Sequence, residues 1–291
     1  MSASDEHCGL DVAVREAAAA LSDTEVGTPD VLLLLATGPG SHPSRMEQAV
    51  VLPLREVPGV PSAWHDVSLR AGELGGTRVW LMEDAPSLDH GPAPAWSRAF
   101  PVWLAAAAGA RLMLHTSAGT ALDATPERGL TPGSLVRCVD HLNLSGRSPL
   151  LGLGESRLGP LFPDQTRVHD QGLASLADRA ASEQGLPLTT AVAACVAGPA
   201  LSTPAELSWY ARAGCDVSVQ RLADPLIAAA HAGLSCLALV AVTDAVGEHD
   251  LDVATLVARA QQTSPSLDRL VDAVARTLGE VARERASEVD A

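Results

Sequence analysis

A series of short, almost wholly apolar runs constrains the fold more than any other feature of the sequence. The clearest runs, within 31–37 and 235–243, have the length of strands, a further buried strand is predicted at 110–116, and segments of helical length lie between them. A short run without polar alternation is typical of a strand buried on both faces, as in a parallel sheet covered by helices. The sequence therefore predicts an α/β fold with a largely parallel central sheet.

The remaining elements fit one continuous domain. A meander of short strands is predicted at 50–81, and Thr203 followed by Pro204 is typical of a helix start. No internal repeat or linker interrupts the pattern, so we expect an N-terminal helix and turn at 1–30 and one domain at 31–291. Further strands are predicted at 134–143, 189–198 and 215–219, and further helices at 11–21, 96–108, 172–184, 203–214, 225–232 and beyond 251.

Charge excludes several classes of partner and of chemistry. The 291 residues include 20 basic and 35 acidic ones, which gives a formal net charge of −15, and every basic residue is Arg because the sequence contains no Lys. Strong negative charge makes nucleic acid and anionic membrane surfaces unfavourable partners. The absence of Lys excludes Schiff-base and P-loop chemistry.

The sequence carries no clear targeting or metal-binding signal. No apolar run reaches the ~18 residues of a membrane span, and the acidic, polar opening segment lacks the features of a signal peptide, so we expect a cytoplasmic protein. Five widely spaced cysteines form no CxxC pair, which favours buried, inert thiols over disulfides or zinc ligands. Neither a metal nor another cofactor is predicted.

Motifs at the ends of predicted strands carry a family resemblance. ATGPG at 36–40 and HTSAG at 115–119 follow or end strands, where ligands bind in open α/β sheets. The segment GSLVRCVDHLNLSGRSPLLG at 133–152 is followed by GPLFPD at 159–164 and GPALSTPAE at 198–206. In this order and spacing the motifs resemble the trimeric purine nucleoside phosphorylases, a family that includes the methylthioadenosine phosphorylases.

The resemblance implies a single domain with a twisted mixed central sheet flanked by helices, as in nucleoside phosphorylases. It also implies a homotrimer, and reversible phosphorolysis of a purine nucleoside to the free base and ribose 1-phosphate. Inorganic phosphate is then a co-substrate, and no cofactor is needed. Such chemistry needs a cationic, donor-rich phosphate site, a polar grip on the ribose and a hydrogen-bond partner for the departing purine.

Three residues match phosphate-binding positions of the family. Thr37 corresponds to the hydroxyl of its phosphate loop, Ser117 to a backbone contact and Arg221 to a phosphate-binding serine. A guanidinium at position 221 is suited to binding phosphate through two parallel hydrogen bonds. A salt bridge from Arg221 to Asp224 or Asp216 is an equally acceptable interpretation.

The strongest phosphate element of the family is changed at residues 84–91. Its Arg and His correspond to Ala85 and Ser87, and Asp84 and Asp89 add negative charge beside them. A like charge close to phosphate opposes its binding, and the loss of an Arg contact removes a strong hydrogen bond. We therefore expect this segment to repel phosphate where the family's segment attracts it.

The purine and ribose positions are also changed. The resemblance assigns catalysis to Asp244 and Ser202, which stand where the family has a purine-binding Asn and Glu. This pair is similar to that of the methylthioadenosine phosphorylases and indicates a 6-amino purine, although drift in a site without selection explains it equally well. The nucleoside-binding positions of the family correspond to Thr116, Ala118, Leu201 and Gln220.

Functions of different classes therefore remain open. The first is a phosphorylase that uses these phosphate and purine residues. The second is a catalytically degenerate homologue that serves as a nucleoside-binding or trimeric scaffold protein, because several ligand-contacting positions are replaced. In a third, water replaces phosphate, and Asp84 or Asp89 acts as the general base.

Overall fold

Nine strands form one mixed sheet in the computed structural model, which describes residues 8–35, 45–86, 93–123, 125, 128–248 and 252–289. The strands are β1 (Val31–Leu35), β2 (Glu47–Pro53), β3 (Ser68–Leu74), β4 (Thr77–Glu83), β5 (Leu112–Ala121), β6 (Leu135–Asn143), β7 (Leu188–Val196), β8 (Val217–Gln220) and β9 (Ser235–Ala245). The helices are α1 (Gly9–Ser22), α2 (Phe100–Ala107), α3 (Gln171–Glu183), α4 (Pro204–Arg212), α5 (Ala223–Ala232) and α6 (Val253–Val289), and short 3-10 turns cover Leu54–Glu56, Ser62–Trp64 and Ala95–Ala99.

Half of the sheet closes on itself. The strand order is β2-β3-β4-β1-β5-β8-β7-β6-β9, and β9 also pairs with β5, so the last five strands of this order form a closed ring. The pairs β1–β4, β1–β5, β5–β9, β6–β7 and β7–β8 are parallel. The pairs β2–β3, β3–β4, β5–β8 and β6–β9 are antiparallel. The α/β class and the mixed sheet are confirmed, whereas the expectation of a largely parallel sheet is wrong for these four pairs.

Side chains of β1 show why the sheet has a helical layer on each face. All five residues of this strand are buried. Leu32 and Leu34 pack into the cluster that includes α1, α2 and α5, while Val31, Leu33 and Leu35 pack into the cluster that includes α3 and α6. Because successive side chains of a strand point to opposite faces, an unbroken apolar run fits this position between two layers.

Several predicted elements are confirmed with small shifts at their ends. Thr203 caps α4: its side chain accepts a hydrogen bond from the Glu206 backbone, the Glu206 side chain accepts one from the Thr203 backbone, and Pro204 is at the first turn. The predicted helix at 96–108 begins as a 3-10 turn and becomes helical only at Phe100. Beyond residue 251, the predicted helices are one helix, α6, which contains Pro265.

The cysteines match the expectation of inert thiols. All five are free, and four of them are buried. Burial raises the pKa of the Cys138 thiol to about 12 despite the nearby positive charge of Arg137. A thiol held in its protonated form is a poor nucleophile and a poor metal ligand.

Candidate functional site

A cavity of about 500 Å³ opens where β4, β6, β7 and β8 end. We refer to it as the cavity. Its walls come from the residues after β4, the 3-10 turn before α2, the loops after β6 and β7, and the junction of β8 with α5. Its charged lining residues are Asp84, Arg98, Arg147, Arg221 and Asp224.

A chain of buried polar side chains, which we call the Asp84 network, lies at one wall of the cavity. The Asp84 carboxylate accepts a hydrogen bond from Arg221 through Nη2 at 2.8 Å, and its other oxygen lies 3.1 Å from Nε2 of His115. The Nδ1 atom of His115 lies 3.3 Å from Oγ of Ser117. Asp84 is 5% exposed and His115 is fully buried. The network therefore holds a carboxylate with both oxygens engaged.

Sheet register explains why these distant residues meet. Leu35 of β1 pairs with Glu83 of β4 on one side and with Thr116 of β5 on the other, which brings the residues after β4 level with the middle of β5. On the other side of β5, Gly119 pairs with Val219 in antiparallel register. The end of β8 therefore reaches the same level, and Arg221 follows it directly.

The charge of Asp84 is set by its partners. Burial by itself raises the pKa of the Asp84 carboxyl, because a buried charge loses its hydration. The hydrogen bond with His115 and the positive charge of Arg221 outweigh burial, so the pKa of Asp84 lies below its ordinary value of 3.8. Asp84 is therefore an anion at neutral pH, and the wall of the cavity carries a fixed negative charge.

Arg221 has an unusual backbone conformation. Its φ is +65°, in the left-handed region that residues other than glycine rarely adopt. Such strain persists only where the surrounding structure enforces it, and it clusters at functional sites. The guanidinium is 30% exposed to the cavity and binds Asp84. The alternative salt-bridge partners predicted for Arg221 are wrong, because Asp216 pairs with Arg128 and Asp224 pairs with Arg98.

Two further guanidinium groups line the cavity. Nε of Arg98 donates to Oδ2 of Asp224 at 2.9 Å, while Oδ1 of Asp224 is buried and lacks a hydrogen-bond partner among the described residues. Arg147 is exposed on the loop after β6 and has no acidic partner in the described ranges. The cavity thus contains three guanidinium groups and two carboxylates, so its lining has net positive charge although the whole chain is acidic.

The loop after β7 places Gln220 beside the cavity. Gly198 has φ +61° and is followed by a cis peptide bond to Pro199. A Cβ atom at Gly198 would overlap the Gln220 side chain, whose amide donates to the Ala200 carbonyl at 3.1 Å. The close approach of glycine backbone and glutamine side chain fixes this polar group at the cavity wall.

The structure brings together only part of the predicted site. Gln220 and Arg221 line the cavity, and Ser117 joins it indirectly through the Asp84 network. Thr116 is buried on β5 with its hydroxyl unpartnered in the described part of the chain, and Ala118 is half-buried two residues further along β5.

The other predicted site residues are not among those that line the cavity, or are outside the described residues. Asp244 is buried on β9 and accepts a hydrogen bond from Thr243 at 2.8 Å. Ser202 is half-buried, and Leu201 is 52% exposed, in the loop before α4. Thr37 lies outside the described residues, as do Ser87 and Asp89.

Several residues of the site were not predicted. His115 directly follows the apolar start of β5, and a buried histidine needs a polar partner; this signal points to a partner without identifying Asp84. Arg98 and Arg147 carry no comparable local signal, and Asp224 is predicted only as a possible partner of Arg221. Their meeting depends on loops from three separate parts of the chain.

Two features are absent from the described ranges, namely a metal-binding cluster and a membrane-spanning helix. No His, Cys, Asp and Glu side chains are grouped there in threes so as to hold a metal ion. None of the helices described has both the length and the apolar character needed to cross a membrane.

The chain is similar to known proteins over most of its length. Residues 30–276 match the sequence profile of the Phosphorylase superfamily. The purine nucleoside phosphorylase of Mycobacterium tuberculosis is 33% identical over 239 residues, which cover 80% of this chain and 83% of that protein. Purine nucleoside phosphorylase 1 of Bacillus subtilis is 28% identical over 235 residues, which cover 80% of this chain and 85% of the relative.

Solved structures share the fold. A Schistosoma purine nucleoside phosphorylase in complex with hypoxanthine matches with a TM-score of 0.78 at 22% identity, and the match covers 91% of this chain and 96% of that one. The Schistosoma mansoni enzyme in complex with adenosine gives a TM-score of 0.77 at 23% identity with the same coverage. At this level of identity the likeness establishes the architecture alone.

Proposed function

The chain belongs to the purine nucleoside phosphorylase family of the phosphorylase superfamily, and we propose that it cleaves the N-glycosidic bond of purine nucleosides by phosphorolysis. The products are the free base and ribose 1-phosphate. The observation that carries this proposal is the group of three guanidinium groups, from Arg98, Arg147 and Arg221, in the lining of one cavity. The family acts in nucleoside metabolism, and we propose purine salvage as the role of this chain.

A cationic cavity suits phosphate in a chain that is otherwise acidic. Arginine binds phosphate oxygens through paired, charge-assisted hydrogen bonds, which hold the anion in one orientation. Arg221 is the central group of the proposal, because its strained backbone directs its side chain into the cavity wall. Thr37 and the Ser117 amide complete the proposed phosphate site.

The reaction requires a nucleophile and a stabilised leaving group. A phosphate oxygen forms a bond to C1′ of the ribose while the bond from C1′ to the purine nitrogen breaks, and the electron pair stays with the base. We propose that Asp244, together with Ser202, binds the purine. Asp244 also supplies the proton that neutralises the departing base. Gln220, Thr116, Ala118 and Leu201 are the proposed nucleoside contacts.

The same proposal includes a homotrimer in the cytoplasm. Support for assembly comes from large apolar side chains that a single chain leaves uncovered: Leu151 is 74% exposed, Leu161 48% and Phe162 88%. Contiguous exposed apolar patches are typical of association surfaces, and we propose that these side chains contribute to one. Light scattering tests this part directly, and Phe162→Asp is expected to shift a trimer toward monomers.

The test is release of free base from inosine, adenosine and methylthioadenosine, each with and without inorganic phosphate. We expect release that depends on phosphate and falls at least about a hundredfold in Arg221→Ala, since one Arg contact to a reacting phosphate contributes several kcal/mol. Release of free base in the absence of phosphate would show that the protein is a hydrolase and not a phosphorylase. Absence of release together with nucleoside binding would favour the scaffold function.

A further inference from the structure

Two carboxylates in the lining of the cavity partly neutralise the guanidinium groups that are proposed to bind phosphate. Arg221 donates to Asp84 at 2.8 Å, and Arg98 donates to Asp224 at 2.9 Å. The two carboxylates differ in how firmly they are held. Asp84 is almost fully buried and is also bound by His115, whereas one oxygen of Asp224 has no hydrogen-bond partner among the described residues.

We infer that Asp84 is a specificity-determining residue, whose carboxylate competes with inorganic phosphate for Arg221 and weakens phosphate binding. This inference rests on the proposed phosphorolysis. It assigns to Asp84 a role in setting the phosphate concentration at which the protein works, and it needs no direct contact between Asp84 and the nucleoside.

Geometry makes the competition unavoidable. A guanidinium presents five N–H donors in one plane, and the Asp84 oxygen takes one of them at Nη2. His115 is fully buried and anchors the other Asp84 oxygen, so the carboxylate cannot rotate away when a second anion arrives. A phosphate bound to the remaining donors of Arg221 then lies within a few ångströms of a fixed negative charge.

Electrostatics sets the direction and the scale of the effect. Two negative charges on opposite edges of one guanidinium repel each other, and the effective dielectric of a partly buried site screens this repulsion only incompletely. Since Arg221 is 30% exposed, we expect a moderate effect. Removing the charge of Asp84 is expected to strengthen phosphate binding roughly tenfold.

The variant that tests this is Asp84→Asn, which removes one charge and keeps the shape of the side chain. Its matched control is Asp224→Asn, which removes the same charge from the same cavity but from the partner of Arg98. We expect the KM for phosphate to fall roughly tenfold in Asp84→Asn, with a much smaller fall in Asp224→Asn and little change in the KM for nucleoside in Asp84→Asn. Arg221→Ala added to Asp84→Asn is expected to abolish the gain.

Three results would overturn the inference. An unchanged or increased KM for phosphate in Asp84→Asn would mean that Asp84 only positions Arg221. An equal fall in the KM for phosphate in both variants would mean that only the net charge of the cavity matters, and that the pairing of Asp84 with Arg221 has no special effect. A gain that persists without Arg221 would show that phosphate uses other groups.

A binding measurement separates this inference from the proposed function. Isothermal titration with inorganic phosphate alone requires no turnover, so tighter binding to Asp84→Asn supports the competition even if no variant cleaves a nucleoside. Phosphate-dependent turnover with equal phosphate affinity in wild type and variant would support the function and refute the competition. Should Asp84→Asn fail to fold, a double variant with Asp84→Ser and His115→Val replaces it in the kinetic and the titration experiments. This double variant removes both members of the buried pair of Asp84 and His115, so neither is left without its partner.

Discussion

At the scale of single residues, the pair of Asp84 and Arg221 shows how a buried charge depends on one neighbour. Asp84 is 5% exposed, and its other partner is the fully buried His115. A buried ion pair adds little net stability, but removal of one member leaves an uncompensated charge. The two residues are therefore expected to be strongly coupled in folding as well as in binding.

The coupling is measurable by a double-mutant cycle. Arg221→Met is expected to lower the free energy of unfolding by about 3 kcal/mol, because it leaves the Asp84 carboxylate buried with only His115. Asp84→Asn added to Arg221→Met is expected to recover most of this loss. Urea unfolding of the four proteins at neutral pH measures the cycle. Additive losses, without recovery in the double variant, would show that the pair is not coupled.

The same pair has a defined acid response. Because the pKa of Asp84 is lowered in the folded protein, the unfolded chain binds the proton more readily. The stability that Asp84 contributes is present above its ordinary pKa of 3.8 and is lost as the pH falls through the lower folded value. Asp84→Asn should therefore flatten the acid end of the profile of unfolding free energy against pH.

A glycine at the cavity offers a second residue-scale test. Gly198→Ala must adopt φ +61° and also displace the Gln220 side chain, whereas Gly185→Ala at φ +62° meets open space. Both variants are expected to lose about 1 kcal/mol of stability from the backbone alone. Only Gly198→Ala is expected to raise the KM for nucleoside, since Gln220 is a proposed contact. Steady-state kinetics and urea unfolding distinguish the two effects, and equal kinetics in both variants would remove Gln220 from the site.

At the scale of secondary-structure elements, the start of α4 was predictable from local chemistry. Thr203 and Glu206 cap each other's backbone, and Pro204 fits the first turn because it has no N–H to satisfy. Thr203→Ala is expected to cost about 1 kcal/mol of stability. Ser208→Ala on the exposed part of the same helix is the control and should change little. A loss in Thr203→Ala that is no larger than the change in Ser208→Ala, by urea unfolding, would mean that the cap contributes nothing to stability.

Elements that depend on local pattern were predicted better than those that depend on distant partners. The buried run of β1 and the cap of α4 are encoded within a few residues. The 3-10 turn before α2 and the uninterrupted helix α6, which continues through Pro265, were not predicted. In both places tertiary packing decides between conformations that the local sequence permits.

At the scale of the whole molecule, β9 pairs with both β5 and β6, and this double pairing closes part of the sheet into a ring. No local sequence signal predicts this closure. The same long-range register brings Asp84 beside His115 and Arg221. The family resemblance was enough to predict that Arg221 belongs to the site. The prediction of Asp216 or Asp224 as its acidic partner was wrong, because distance along the sequence does not show which carboxylate is nearest in the fold. Thr37 and Asp89, outside the described residues, remain predictions.

A histidine pair is expected to make the stability of the fold depend on pH. Nδ1 of His141 on β6 lies 3.1 Å from Nε2 of His169 before α3. Burial, then the charge of His141, lowers the pKa of His169 to about 4; Asp140 opposes this shift and Arg137 adds to it. Since the ordinary value is 6.5, the unfolded chain is protonated first, and stability is expected to fall between about pH 6.5 and about pH 4.

Replacing His169 isolates this contribution. His169→Asn should reduce the loss of unfolding free energy between about pH 7 and about pH 5, because the variant lacks the group that the unfolded chain protonates. His65→Asn changes a histidine that is not part of the pair and serves as the control. An unchanged slope in His169→Asn, or the same change in both variants, would assign the pH dependence to other groups.

The acceptor of the ribosyl group distinguishes phosphorolysis from hydrolysis, and the sugar product identifies this acceptor. The wild-type protein is incubated with adenosine or inosine and inorganic phosphate, and the products are followed by ³¹P NMR. We expect phosphorolysis, with a new signal of ribose 1-phosphate that grows in step with the free base and is absent in Arg221→Ala. Free base accompanied by unphosphorylated ribose would contradict it, since water would then be the acceptor in a cavity whose guanidinium groups serve another purpose.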